Sequence, residues 1–584
     1  MKYKNPVISG FYPDPSVCAA NGKYYMVCSS FQYFPGVPLF ESEDLVNWKQ
    51  LGYVLTRKSQ VMLENIGSSG GVFAPTIRYH EGRFYMVTTN DTTHQNFYVY
   101  TDDIYKEWSD PVYVAQGGID PSLYFEDDHV YFMSNGCDDA GVGGVTQCEI
   151  DVATGKKLSE SKCIWKGSGG RFLESPHLYH IGGFYYLMAA EGGTEYGHMI
   201  TYARGTSVWG PFENYAHNPV LTNRNKAPFI IQGIGHGDLI KDHNGDWHIF
   251  CLGFRQMHLW RPYHTLGREV FLIPVRFDKD GWFRAGTDGT ADFEYELEGT
   301  FTQQITKEYT FENTEFGIDW CYLRHPDESR YELSADRAVL YGGADTLDDV
   351  ASPTFLAMRQ KEFAFHLSVQ LKFEALPAAE SDTAALRSKT AAESGTAALR
   401  SKTAAEADNE AAPGSADGQA DKALWVCHDE QCARMPEAGV TLYSCENEHY
   451  EAAIIRRRSA DNMNGGTDAG AKTGADARAD AGGTAAGDYE VILRLNIGGI
   501  KQIQAALPIP TDSAKLIVKA ENTAYHFFVE TDEKEFYLGT GQAKYLSSEV
   551  VEGFTGVMIG CYAVGGCRAE FTKLNLTYGD RDDE

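Results

Sequence analysis

Asp14-Pro15-Ser16-Val17-Cys18-Ala19-Ala20-Asn21-Gly22-Lys23-Tyr24-Tyr25-Met26 sets a pattern that the chain repeats across its first half. A short polar or acidic step leads into an apolar run, a tight turn follows, and an aromatic-rich strand returns. The further copies are Ala74-Pro75-Thr76-Ile77 to Gly82-Arg83-Phe84-Tyr85-Met86 and Asp120-Pro121-Ser122-Leu123 to Asp128-His129-Val130-Tyr131-Phe132. They continue with Ser175-Pro176-His177-Leu178 to Gly183-Phe184-Tyr185-Tyr186-Leu187 and His236-Gly237-Asp238-Leu239 to Gly245-Asp246-Trp247-His248-Ile249. The residue after each leading position falls at 15, 75, 121, 176 and 237, a period of about 46 to 61 residues that belongs to stacked or radially arranged units. Aromatic and β-branched strands joined by turns at this period predict four-stranded blades around a channel, hence an all-β fold with a five-bladed β-propeller. Equivalent positions in a radial repeat converge on one axis. Asp14, Ala74, Asp120, Ser175 with Glu174 beside it, and His236 are therefore expected to meet.

With 584 residues the chain exceeds what one core serves, so a second domain is expected. Propeller sequence runs to 298. From 299 to 584, alternating segments at 363–371, 489–495, 515–519 and 568–576, with no long helical pattern, predict a β-sandwich. Two stretches inside it, 378–422 and 459–487, are rich in Ala, Gly, Ser, Asp and Glu; the first contains the direct repeat Thr383-Ala384-Ala385-Leu386-Arg387-Ser388-Lys389-Thr390-Ala391-Ala392-Glu393. Such composition buries too little apolar area to offset chain entropy, and both are read as disordered insertions.

The balance of 51 basic against 81 acidic residues gives a net charge of −30, which disfavours nucleic acid and anionic membranes as partners. A neutral substrate is compatible with it. The start, Met1-Lys2-Tyr3-Lys4-Asn5-Pro6, lacks the apolar core of a signal peptide, and the 12 cysteines include no Cys-x-x-Cys pair; a cytoplasmic location is the expectation.

An Asp-Pro step alone is more often a turn than a catalyst. Three acids at the openings of three blades are harder to explain as packing, because clustered like charges repel. Paired carboxyl groups at a propeller mouth are what glycoside hydrolysis requires, one protonated for the leaving oxygen and one ionised for water. Glu191, in Ala190-Glu191-Gly192-Gly193-Thr194, is a further acid one strand after Glu174 and its rival for any acid role.

These motifs, together with Gly10-Phe11-Tyr12-Pro13-Asp14, Phe31-Gln32-Tyr33-Phe34-Pro35-Gly36, Ser69-Gly70-Gly71-Val72-Phe73-Ala74-Pro75, Leu173-Glu174-Ser175-Pro176-His177, Gly235-His236-Gly237 and Leu266-Gly267-Arg268-Glu269, resemble glycoside hydrolase family 43. The second region resembles, more loosely, the concanavalin A-like jelly-roll sandwich attached to β-xylosidases of that family, through Trp320-Cys321-Tyr322-Leu323-Arg324 and Phe355-Leu356-Ala357-Met358-Arg359-Gln360. The resemblance implies an exo-acting, inverting hydrolase that releases xylose or arabinose from small oligosaccharides. It implies Asp14 as general base, Glu174 as general acid and Asp120 as the group that orients Glu174 and raises its pKa by repulsion. Inversion would set Asp14 and Glu174 roughly 6.5–9.5 Å apart. It further implies that Phe31 and Phe73 wall the sugar, that Arg268 donates into the pocket, and that His236 lies on the axis. No cofactor is required, although a structural calcium ion met by His236 through water is left open, as is a homo-oligomer. Relatives of xylosidase type often carry Trp where this chain has Phe73, which leaves arabinofuranosidase activity as rival or companion. A non-catalytic carbohydrate-binding propeller and an endo-arabinanase on the same fold are the alternatives.

Overall fold

The repeated Asn21-Gly22, Glu81-Gly82 and Gly182-Gly183 steps each place two consecutive residues at positive φ, the type I′ geometry that matches the twist of the strands they join. In a computed structural model of the chain, which describes residues 1–227, 229–257, 260–376, 435–457 and 488–579, these turns open the hairpins of successive antiparallel sheets. The two expected insertions lie outside the described residues.

Five sheets of four or five strands follow one another along residues 16–285. Their first strands are Ser16–Ala20, Thr76–His80, Ile119–Glu126, Glu174–Ile181 and Ile231–Lys241. Each sheet is an up-and-down meander from this strand outward, and each first strand touches the first strands of two other sheets, the fifth touching the fourth and the first. The return to the beginning is made by backbone pairing. Lys2–Lys4 pairs with Glu294–Glu296, Val7 N–H donates to Val270 O at 2.9 Å, and the buried Asn5 side chain donates to Leu272 O at 3.0 Å.

A second unit consists of an eight-stranded and a six-stranded antiparallel sheet. Strand Phe365–Ala375 shows why they stack: Phe365, Leu367, Val369, Leu371 and Phe373 are buried on one face, at the period of two that a strand imposes, and join one apolar cluster with Leu356, Val440, Leu493 and Ile559 of the other sheet. The sandwich expected from the alternating segments is present; its strands contain three of them whole and the fourth from Phe365 onward. Among the described residues helix is confined to single turns, and none is long and apolar enough to cross a membrane. The ten described cysteines are free.

Two buried arginines and a close backbone approach join the units. Arg359 enters from the sandwich, donates to Phe11 O at 2.8 Å and to Tyr53 OH at 3.2 Å, and lies 4.6 Å from the Tyr12 ring centroid. Arg324 donates to Ile66 O at 2.5 Å and pairs with Glu446. At Gly267 the two backbones come so close that a Cβ would stand 2.9 Å from Gly556 N, and its φ of +75° already disfavours any L side chain.

Gly267→Ala combines left-handed strain with a backbone collision and is expected to cost about 2 kcal/mol or more. Gly22→Ala shares the positive φ with open space around it, so about 1 kcal/mol is expected there. Denaturant unfolding of both variants measures the difference.

Candidate active site

The residues that lead the five repeats share an unusual backbone. Asp14, Asp120, Ser175 and His236 have φ of +56°, +53°, +55° and +47°, and only Ala74 lacks the left-handed conformation. In the third, fourth and fifth sheets the position coincides with a β-bulge, at the register breaks between Ile119 and Ser122, Glu174 and His177, and Gly235 and Gly237. A bulge re-aims one side chain without ending the strand. Left-handed non-glycine residues cost of order 1–3 kcal/mol each, and such outliers cluster where function holds them. Phe31 and Phe172, at +49° and +51°, add two bulky examples at the same place.

All of these except Ser175 line one cavity of about 480 Å³, which Glu174, Phe73, Ala74 and Arg268 also face. The expected site residues Asp14, Phe31, Phe73, Asp120, Glu174, His236 and Arg268 are thus brought together. Glu191 is not among the lining residues.

Asp14 is almost fully buried. Ser29 Oγ donates to its Oδ2 at 2.5 Å, and Arg268 Nη1 donates to Oδ1 at 2.8 Å. Burial alone would push its pKa up; Arg268, His236 and the Ser29 bond more than offset this, so the carboxyl is held below the ordinary Asp range and stays ionised. Glu174 shows the opposite balance. Burial first, then repulsion by Asp14, raise it to about 7, against a smaller opposing pull from Arg268. Asp120, which accepts from Ser175 N–H at 3.2 Å, is itself pushed upward by burial and then by Glu174 and Asp14. Asp120 and Glu174 thus repel one another, and Asp14, which the sequence did not single out for this, repels both. An ionised and a protonated carboxyl group facing one cavity constitute a base and an acid.

His236 Nδ1 lies 3.6 Å from Asp14 Oδ1 and 4.0 Å from Asp120 Oδ2, and burial keeps its ring pKa below the ordinary value. Farther along the axis stands Asp238, two residues on. Arg78 Nη1 donates to Asp238 Oδ2 at 2.7 Å and Arg78 Nη2 to Oδ1 at 3.1 Å, while Ser16 and Tyr179 donate at 2.6 and 2.5 Å. Arg78 Nη2 also donates, at 2.8 Å, to Nδ1 of His177, whose ring burial pushes down to about 3 and keeps neutral. The carboxylate a divalent ion would need is engaged by a guanidinium. Among the described residues no group of three His, Cys, Asp or Glu is arranged as metal ligands. Asp238 is thus not free to ligate a calcium ion directly.

Several lining residues escaped the sequence reading. Thr194 Oγ accepts from Arg268 Nη1 at 2.9 Å, and Phe554 O accepts from Nη2 at 3.3 Å. Phe554 comes from the sandwich, as do Ser548, Glu549, Glu552 and Gly553, and its ring stacks on Phe31 at 5.9 Å between centroids. Glu549 accepts from His264 N–H at 3.0 Å and sits 2.7 Å from His264 Nδ1, while the His264 ring stacks on Phe254 at 4.0 Å. Thr194 lay in a motif already noted; nothing in the alternating pattern of the sandwich marks residues 548–554.

The chain matches the family model for glycosyl hydrolases family 43 over residues 3–283, and that for the beta xylosidase C-terminal concanavalin A-like domain over 308–385 and 479–573. It is 32% identical to a non-reducing end alpha-L-arabinofuranosidase of Bacteroides ovatus, covering 99% of this chain and 94% of that protein. It is 37% identical to a xylosidase/arabinosidase of Butyrivibrio fibrisolvens over 65% of this chain and 76% of that one. Among solved structures, Bacteroides ovatus Xyloglucan PUL GH43B superposes with a TM-score of 0.79 at 30% identity, covering 99% of this chain and all of the other.

Replacing Arg268 by Met removes the largest attraction that opposes burial at Asp14. The Asp14 pKa is expected to rise, read by carbon NMR of labelled Asp side chains, and an unchanged value would show that Arg268 does not hold it down.

Proposed function

The chain belongs to glycosyl hydrolase family 43 and is a glycosidase, and we propose that it is an exo-acting, inverting enzyme releasing arabinose and xylose from the non-reducing ends of α-L-arabinofuranosides and β-D-xylosides. The observation that carries this reading is the pairing, across one cavity, of Asp14 held ionised with Glu174 held protonated to about pH 7. The named activities of the Bacteroides and Butyrivibrio relatives support the two sugars. We read the five sheets as the five blades of a propeller over residues 1–298 and the remainder, 299–584, as the sandwich. The preferred substrates are small hemicellulose-derived oligosaccharides.

In the reaction, a water molecule next to Asp14 attacks the anomeric carbon and gives its proton to that carboxylate. The bond from this carbon to the glycosidic oxygen breaks on the opposite face, and Glu174 transfers its proton to the departing oxygen. One water is consumed, and solvent returns both carboxyl groups to their starting states. The charge that develops on the sugar ring is stabilised by the nearby Asp14 carboxylate. Asp120 acts as the orienting group: it holds Ser175 N–H, and with it the backbone next to Glu174. Arg268 lines the cavity, and its guanidinium is the cationic donor we assign to a sugar hydroxyl. Phe31, Phe73 and Phe554 form the apolar wall. His236 contributes its neutral ring to the floor. Closure of the cavity by Phe554 from the sandwich favours a pocket over an open groove, and so exo over endo action.

Purified protein should release nitrophenol from p-nitrophenyl α-L-arabinofuranoside, β-D-xyloside, or both, and Asp14→Ala should lower kcat by about 10³-fold. No release from either substrate would sink the reading. Proton NMR of the first product from a β-xyloside should show α-xylose, whereas β-xylose would exclude inversion.

The pH dependence follows from the two shifts. Glu174 must be protonated, so kcat/KM falls as pH rises through about 7; Asp14 must be ionised, so the acid limb lies below the ordinary Asp value. An alkaline limb that stays in place in Glu174→Gln would assign it to another group.

A further inference from the structure

Glu191 is fully buried at the end of strand Phe184–Glu191, next to the Ala190 that pairs with Glu174. Its side chain does not face the cavity. Instead, Oε1 accepts from Ser168 N–H at 2.5 Å and from Thr201 Oγ at 2.9 Å, and Oε2 accepts from Gly170 N–H. The loop wraps the carboxylate so closely that a Cβ at Gly167 would stand 2.7 Å from Oε1, and one at Gly170 2.5 Å from Oε2. These donors are all neutral, and burying a carboxylate among neutral groups is expensive unless each bond is well made.

The neighbours of Glu191 hold the same loop. Gly192 N–H donates to Arg171 O at 2.7 Å, and Arg171 Nε donates back to Gly192 O at 3.1 Å. A Cβ at Gly193 would meet the Phe172 ring at 3.1 Å. Thr194 then accepts from Arg268, the residue that holds Asp14. One short run of chain thus grips the segment leading into Glu174 at one end and the Asp14 partner at the other.

We propose that Glu191 is a positioning residue for Glu174: its buried carboxylate templates loop 167–172 through the Ser168 and Gly170 amides, and so fixes the proton donor relative to Asp14. The proposal rests on the reading of Glu174 as the acid, and the test separates the two.

A displaced proton donor harms only substrates whose leaving group needs a proton. Glu191→Ala, Glu191→Gln, Gly170→Ala and Glu174→Gln are compared with the parent on a methyl glycoside and on the 2,4-dinitrophenyl glycoside of the same sugar. Glu191→Ala is expected to lose about 10²-fold in kcat on the methyl glycoside and no more than about threefold on the dinitrophenyl glycoside, with KM little changed. Glu191→Gln, which keeps a carbonyl acceptor, should recover part of the loss. Gly170→Ala displaces the loop while leaving the carboxylate in place and should reproduce the split even if Glu191→Ala folds poorly. Equal losses on both substrates in Glu191→Ala and Gly170→Ala, beside a clear split in Glu174→Gln, would overturn the positioning role alone. Absence of a split in Glu174→Gln would overturn the acid assignment itself, and this proposal with it.

Discussion

The carboxyl groups of Asp14, Asp120 and Glu174 face one pocket together, and the guanidinium of Arg268 is the group that lets Asp14 remain charged there. An isolated carboxylate at this depth would cost several kcal/mol to keep ionised. Arg268 lowers that cost enough at Asp14, through a 2.8 Å bond, and pulls too weakly on Glu174 and Asp120 to overcome their burial and repulsion. The asymmetry between an ionised Asp14 and a protonated Glu174 is thus the asymmetry of one side chain's placement. That placement depends in turn on both units: Thr194 from the fourth sheet and Phe554 O from the sandwich take the other donors, and the Gly267–Gly556 approach fixes the backbone beside it.

The axis shows a second use of the same device. One step along the inner strands, Arg78 neutralises Asp238 and donates to an uncharged His177. Each inner strand can bring a polar residue to the centre, and two arginines keep the resulting carboxylates apart in role. The left-handed backbone at Asp14, Asp120, Ser175 and His236 is the cost of turning these side chains inward, and Ala74, which brings no polar group, does without it.

The repeat was legible because apolar alternation and turn residues are local signals, and the five copies carry both. The leading residues were legible because a radial repeat makes equivalent positions converge, a geometric inference that needs no contact information. Phe554 and Glu549 were not, since they reach the pocket from the far sheet system: Phe554 N–H bonds Ser69 Oγ across 485 residues, and nothing local encodes such a meeting. Glu191 was visible but open to misreading. Its neighbours Gly192 and Gly193, and the run Gly167-Ser168-Gly169-Gly170 upstream, are what a tightly wrapped carboxylate needs, and they mark a structural grip where acid chemistry alone suggested a rival donor. The upward push on both Asp120 and Glu174 comes first from burial, which spacing does not reveal.

The backbone pairing that returns the last sheet to the first has a consequence for the order of events during synthesis. Asn5 waits for Leu272, 267 residues later, and Asp14 for Arg268, 254 residues later. While the chain is emerging, the early sheets can form their own hairpins, but the hydrogen bonds of Asn5 and Val7 to Leu272 and Val270 wait for the fifth sheet. A nascent chain arrested before residue 268 would hold the Asp14 carboxyl without its cation, so assembly of the pocket is deferred to the end of propeller synthesis and completed only when the segment around Phe554 arrives.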